Sequence, residues 1–110
     1  MIDEATFRRE SDSALEALKQ SLIRAEEGGG FEAEEKNGVL NVIFDDDDKF
    51  VFTPNTPVRQ IWISALTTSF KLDWNASTAG FVLPKTGEEL RLLTQRLLRE
   101  KLHDDSITLS

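Results

Sequence analysis

The stretch FEAEEKNGVLNVIF, Phe31 to Phe44, sets Asn37-Gly38 between two runs that can both be extended. Asn-Gly is the strongest short hairpin signal, because both central positions of the tight turn need positive φ and these two residues tolerate it. Phe31–Lys36 is therefore predicted to pair with Val39–Phe44. Working outward, DDDDK (Asp45–Lys49) turns the chain into a third strand, Lys49–Thr53. TPNTP (Thr53–Pro57) reads as a loop fixed by two prolines. QIWIS (Gln60–Ser64) and SFKLDW (Ser69–Trp74) read as fourth and fifth strands, and GFVL (Gly80–Leu83) as a short sixth or an edge.

Helices flank this run. From Asp3 to about Ala25 the apolar residues Phe7, Ala14, Leu15, Leu18, Leu22 and Ala25 fall at helical spacing, with Asp3 as N-cap and Gly28–Gly30 as the stop. TGEELRLLTQRLLREKL (Thr86–Leu102) is a second helix, with Thr86 and Glu89 as a capping box and Leu90, Leu93 and Leu97 as the buried stripe. The last residues, HDDSITLS (His103–Ser110), form a tail partly ordered against the domain.

Helix, antiparallel strands, helix specifies an α+β two-layer sandwich: both helices pack on one face of an antiparallel sheet of five to six strands. Residues 1–110 make one domain, with a core over about 3–102 and a tail over 103–110. The other sheet face meets water. Alternation along the fourth strand puts Ile61 and Ile63 in the core and Gln60, Trp62 and Ser64 on the wet face. An exposed tryptophan there is either an anchor for a partner or a ring lying flat on neighbouring strands. In the fifth strand Lys71 and Asp73 alternate with Phe70, Leu72 and Trp74, and Trp74 is expected in the core.

Composition narrows the chemistry. Thirteen basic against twenty acidic residues give a net charge of −7, which argues against nucleic acid and anionic membranes as partners and permits cations or basic protein surfaces. With no cysteine there is no disulfide, thiolate or cysteine-bound metal. No apolar run approaches a membrane span, and MIDEATFRRE lacks a signal peptide's plan, so the expected compartment is the cytoplasm. The one histidine, His103, stands near the tail as a helix-end cation, and no phosphate loop or nucleophile–base pattern appears, so the expectation is a protein that is not an enzyme.

Carboxylates are what the chain has in quantity, and hard oxygen ligands suit calcium, magnesium, manganese or iron. One group joins Glu26 and Glu27 to Glu32 and Glu34, the latter two on one face of the first strand and Glu35 on the other. A second is Asp12 and Glu16, one helical turn apart, where Arg8 or Arg9 can pair with Asp12 and Glu16 with Lys19 or Gln20. The third, Asp45, Asp46, Asp47 and Asp48, fails as an EF-hand, since its sixth position is Phe50 and its twelfth Thr56. It is a turn first and an acidic patch second.

NGVLNVIF, TPVRQIWISA, FKLDW, a short strand and a closing helix together resemble the frataxin family at the length of its bacterial members, over roughly Phe7 to Leu102. QIW after a proline loop, followed by an aromatic-rich strand ending in DW, is the most distinctive part. The resemblance implies a weakly iron-binding protein without catalytic machinery, acting in iron–sulfur cluster assembly as regulator or iron donor. It also implies a cysteine desulfurase and an iron–sulfur scaffold protein as partners, and a monomer. The partner-facing sheet surface then falls on Gln60, Trp62, Ser64 and Asn41, with Lys71 where arginine often stands and a polar position at Thr53 or Asn55. Bacterial relatives are densely acidic at the end of helix one. Here KQSLIRAEEGGG intersperses Lys19 and Arg24 and ends in glycines, so the implied iron set moves to Glu26, Glu27, Glu32, Glu34 and Asp45–Asp48. The other reading is an acidic interaction module, calcium-responsive or chaperone-like, with no iron role.

Overall fold

The first helix, α1, spans Glu4–Ala25 and starts at Asp3, whose carboxylate accepts from the Thr6 N–H at 2.7 Å. The computed structural model describes residues 2–110. Phe7, Leu15, Leu18 and Leu22 are buried along one side of α1, together with the small Ser11 and Ser21. After a 3-10 turn at Glu26–Gly28, Gly29 and Gly30 take φ of 85° and 94°. Gly30 is needed twice over, because a Cβ there would also stand 3.1 Å from the Leu102 side chain.

Six strands follow: β1 Phe31–Lys36, β2 Val39–Phe44, β3 Lys49–Asn55, β4 Gln60–Ala65, β5 Thr68–Asn75 and β6 Gly80–Val82, with α2 at Leu90–Leu102 closing the domain. They form one antiparallel sheet in sequence order. Asn37 and Gly38 have φ of 54° and 80°, as the tight hairpin turn requires, and Lys36 faces Val39 while Phe31 faces Phe44. Both helices cover one sheet face. There Phe31, Leu40, Val42, Phe44, Phe50, Phe52, Ile61, Ile63, Leu72 and Phe81 meet the leucines of α1 and Leu90, Leu93, Leu97 and Leu98 of α2. Phe44 packs edge-on against Phe50 at 4.8 Å, and Phe7 against Phe81 at 5.8 Å.

Four local expectations are corrected. Thr53–Asn55 of TPNTP belong to β3, and Thr56–Val58 form a 3-10 turn ending at Arg59, φ 56°. The β2 pairing of β3 ends at Phe52, so Pro54 lies where the strand has a neighbour on one side alone, and a missing N–H is tolerated at such a place. No capping box forms at Thr86. The helix starts at Leu90, and Glu89 itself is the cap, its Oε1 accepting from the Arg91 and Leu92 N–H groups at 3.2 and 3.4 Å. A bridge between Val82 and Glu89, with Gly87 at φ 77°, holds the preceding segment back along β6, and the Thr86 hydroxyl instead donates to Glu88 at 2.9 Å. Trp74 is half-buried, not core, and packs T-shaped on Phe81 at 5.2 Å near the edge of the sheet. The basic residues of α1 pair differently, Arg8 with Glu4 and Arg9 with Glu10, while Lys19 does pair with Glu16.

The tail is ordered against the helices. Leu109 is buried in the core, its carbonyl accepts from Arg91 at 2.7 Å, and the Ile107 carbonyl accepts from Arg99 at 2.7 Å.

Candidate functional site

Strand register builds the wet face in rows. Glu34, Asn41, Val51, Ser64 and Ser69 face one another across β1 to β5. The next row is Thr53, Trp62 and Lys71, and the one after it Asn55, Gln60, Asp73 and Val82. Thr53 and Asn55 thus both stand on this face, beside Trp62 and Gln60 respectively.

Trp62 sits at the centre, 37% exposed while Ile61 and Ile63 on either side are buried. Its indole N–H donates to Gln60 Oε1 at 2.9 Å, and the Gln60 amide donates to Asp73 Oδ1 at 2.8 Å. The Lys71 ammonium lies 4.7 Å from the ring centroid. A cation over the ring and a hydrogen-bond chain at its edge fix the partly exposed indole in place, so little ordering remains to be lost when a partner covers it. Asp73, which holds Gln60, had as its sequence signal its spacing of two from Lys71, which puts both on one face.

The carboxylates divide into engaged and free. Glu26 turns back to accept from the Ala33 N–H at 3.0 Å, covering a donor of the edge strand β1. Glu35 is bridged to Lys19 at 3.3 Å. Asp46 and Asp48 both accept from Lys101 of α2, at 2.8 and 3.0 Å, and that ammonium also lies over the Phe44 ring at 5.3 Å. Hydrogen bonding to Lys101 holds both aspartates below their usual range, and the pair in turn raises Lys101. Asp47 at φ 68° completes the turn, whose ends are tied by Phe44 and Asp48 backbone groups at 2.9 Å. Glu27, Glu32, Glu34, Asp45 and Asp47 are exposed and make no ion pair among the described residues. Among those residues no three of Asp, Glu and His converge on a point that could hold a metal ion. The free carboxylates are hard oxygen donors of the kind iron accepts, spread over the 3-10 turn after α1, the β1 edge and the β2–β3 turn. No helix among the described residues is long and apolar enough to cross a membrane.

Comparison with known proteins places the chain in a family. Residues 1–104 match the frataxin-like domain. The chain is 28% identical to the iron-sulfur cluster assembly protein CyaY of Pseudomonas entomophila and 27% identical to that of Pseudomonas putida, in each case over 91% of this chain and 89% of the relative. Its structure is similar to that of frataxin from Psychromonas ingrahamii, with a TM-score of 0.81 at 14% identity over 99% of this chain and 97% of the other. It is also similar to trimeric frataxin from Saccharomyces cerevisiae complexed with ferrous ion, with a TM-score of 0.66 at 23% identity over 87% and 84%.

Proposed function

From the premise that this chain belongs to the frataxin-like family, we propose that it acts in iron–sulfur cluster assembly, as an iron-binding regulator or iron donor to a cysteine desulfurase and its scaffold protein. It works without catalytic chemistry of its own, as a monomer in the cytoplasm. Iron is cargo, taken weakly and without a preformed cage by Glu27, Glu32, Glu34, Asp45 and Asp47. Glu26, Asp46 and Asp48 take part to the extent that their present partners let go.

One observation carries the partner half of this reading. Trp62 is a large aromatic, more than a third exposed on the wet face and fixed there by Gln60 and Lys71, with Asp73 holding Gln60 in turn. Such an anchor, amid polar neighbours on an otherwise unoccupied sheet face, has the make-up of a binding hot spot. Ser64 and Asn41 extend the same face along the neighbouring row.

The test is titration of the purified protein into a cysteine desulfurase–scaffold complex, with and without ferrous iron. Saturable binding through the Trp62 face supports the proposal, and failure to bind in either condition overturns it. The carboxylates are dispersed, so an acidic interaction module without an iron role would use the same face. Desulfurase binding together with no iron-dependent spectral change would select that reading.

A further inference from the structure

The two outer edges of the sheet are guarded, and one stretch of β5 is not. On β1 the Glu26 carboxylate takes the Ala33 N–H at 3.0 Å, and Glu32, Glu34, Glu35 and Lys36 line the strand with charge. On β6 the Val82–Glu89 bridge covers the far side. β5 starts at Thr68, yet β6 pairs with it at Asp73, Trp74 and Asn75 alone. The pairing stops because the chain turns back. The Thr86 and Gly87 N–H groups donate to the Leu83 carbonyl at 3.2 and 2.7 Å, and Pro84 has no N–H to offer a ladder. Residues 68–72 of β5 thus have β4 on one side and no strand on the other.

The register decides which groups stand free. Leu66 and Thr67, at φ 53° and 60°, make the β4–β5 connection a two-residue turn closed by the Ala65–Thr68 pair. Main-chain bonding alternates from that pair, so Thr68, Phe70 and Leu72 bond β4, and the N–H and carbonyl groups of Ser69 and Lys71 point outward. Among the described residues these outward groups have no partner. The side chains leave the edge accessible. Phe70, on the helix side, is half-buried, while Ile63 opposite it is 1% exposed. An edge lysine ordinarily guards against a further strand, but the Lys71 ammonium is drawn back over the Trp62 ring on β4. Lys85 is exposed in the turn at the end of β6, and neither lysine makes an ion pair among the described residues.

We propose that residues 68–72 of β5 take an extended, acidic segment of a partner protein as an additional antiparallel strand. Main-chain bonds to Ser69 and Lys71 give the affinity, and the side chains choose the occupant. On the helix side, the position opposite Phe70 asks for an apolar residue that covers the exposed part of the ring. On the wet side, the positions beside Lys71 and Lys85 ask for carboxylates. A second copy of this strand would bring further lysines to an edge that already carries two, so charge favours an acidic partner over self-pairing. The edge goes beyond the contact face around Trp62, because it offers main-chain groups where that face offers side chains. Either surface can fail without the other.

The test uses the full-length chain and fluorescent peptides at about 0.15 M salt, where charges beyond about 8 Å are screened. Val-Glu-Val-Glu-Val sets its central valine opposite Phe70 and its glutamates opposite Lys71 and Ser69. It is expected to bind saturably, about tenfold more tightly than Val-Lys-Val-Lys-Val. N-methylation of either glutamate amide should weaken it at least about tenfold, and N-methylation of the central valine amide less than about threefold, since alternate amides face the neighbouring strand. In the free protein the Ser69 and Lys71 amides should exchange fast and those of Phe70 and Leu72 slowly, and the peptide should protect Ser69 and Lys71. Ser69→Pro removes an outward N–H without taking a bond from β4, so it should abolish binding. If that variant fails to fold, the methylated peptides decide. No saturable binding, equal loss at all methylated positions, or a lysine peptide that binds as well would each overturn the proposal. So would Ser69 and Lys71 amides that become protected as the protein alone is concentrated, which would assign the edge to a second copy.

Discussion

Lys101, in the last turn of α2, donates to Asp46 Oδ2 at 2.8 Å across the gap between the helix and the β2–β3 turn, and Asp48 takes the same ammonium at 3.0 Å. Four successive aspartates therefore present two alternating pairs. Asp46 and Asp48 latch the turn to α2, and Asp45 and Asp47 face water. The latch has a definite pH dependence. Both aspartates have lowered pKa values, chiefly through the Lys101 hydrogen bond, so their contribution is present above the ordinary aspartate range and is lost as pH falls through the depressed values. Lys101 is raised, so its contribution is present below the ordinary lysine range and is lost as pH rises through the raised value. Lys101→Ala is expected to melt below wild type at pH 7, with the gap closing as pH falls through the depressed aspartate values. Thermal melts across pH check this, and a gap that stays constant to the acid end would show that Lys101 acts through packing on Phe44 instead.

The iron-binding prediction follows from the same division. Adding ferrous iron under anaerobic conditions is expected to shift or broaden amide signals at Glu27, Glu32, Glu34, Asp45 and Asp47, with smaller effects at Asp46 and Asp48. Lys101→Ala should enlarge the response at Asp46 and Asp48 by freeing their oxygens. Binding should be weak and poorly selective among hard cations, because dispersed carboxylates discriminate little. Shifts centred on His103, or none at millimolar iron, would remove these residues from consideration.

Core leucines give a prediction about stability alone. Leu18, Leu93 and Leu97 are at most 2% exposed and Leu15 is 8% exposed. Each change to Ala is expected to cost about 2–5 kcal/mol, most of it at the three fully enclosed positions. With roughly 5–15 kcal/mol available to a domain of this size, a Leu18→Ala, Leu97→Ala double variant should be largely unfolded. Urea unfolding measures both. An unchanged midpoint for Leu18→Ala would place α1 in the wrong register on the sheet.

What could be read from the sequence was whatever rests on a strict period or a forced turn. Asn37-Gly38 fixed the hairpin, because positive φ at two successive positions admits few residue pairs, and the period of two along QIWIS placed Trp62 outward. Local signals failed where tertiary contacts compete. Thr86-Gly-Glu-Glu89 matches a capping box, yet the Val82–Glu89 bridge keeps that segment extended, so the helix starts at Leu90. Pro54 looked like a strand breaker and sits in β3, because whether β2 still runs alongside at that position is a matter of register. The acids were visible as a count, whereas their engagement was not. Lys101 lies more than fifty residues beyond Asp46, and no local spacing announces that pair.

The last prediction concerns Trp62 and separates fold from binding. Trp62 is 37% exposed and stands outside the hydrophobic core cluster, so its removal leaves that cluster intact. Trp62→Ala is therefore expected to melt close to wild type. In a complex the same ring would be fully covered, and a hot-spot aromatic is worth on the order of 2 kcal/mol or more, about thirtyfold in affinity. Affinity for the desulfurase–scaffold assembly should thus fall at least tenfold. Gln60→Ala should lose less than that, and Asp73→Ala less again, since Asp73 acts by holding the Gln60 amide at 2.8 Å. Lys71→Ala removes the cation 4.7 Å above the ring and should weaken binding while leaving the melt unchanged. Neutralising Asp45 and Asp47 should mainly slow association and flatten its salt dependence, because charges away from the centre act by steering. Melting and affinity measured on one Trp62→Ala sample decide the matter. A large drop in stability would mean that the indole holds the sheet together, and an unchanged affinity would mean that partners approach another face.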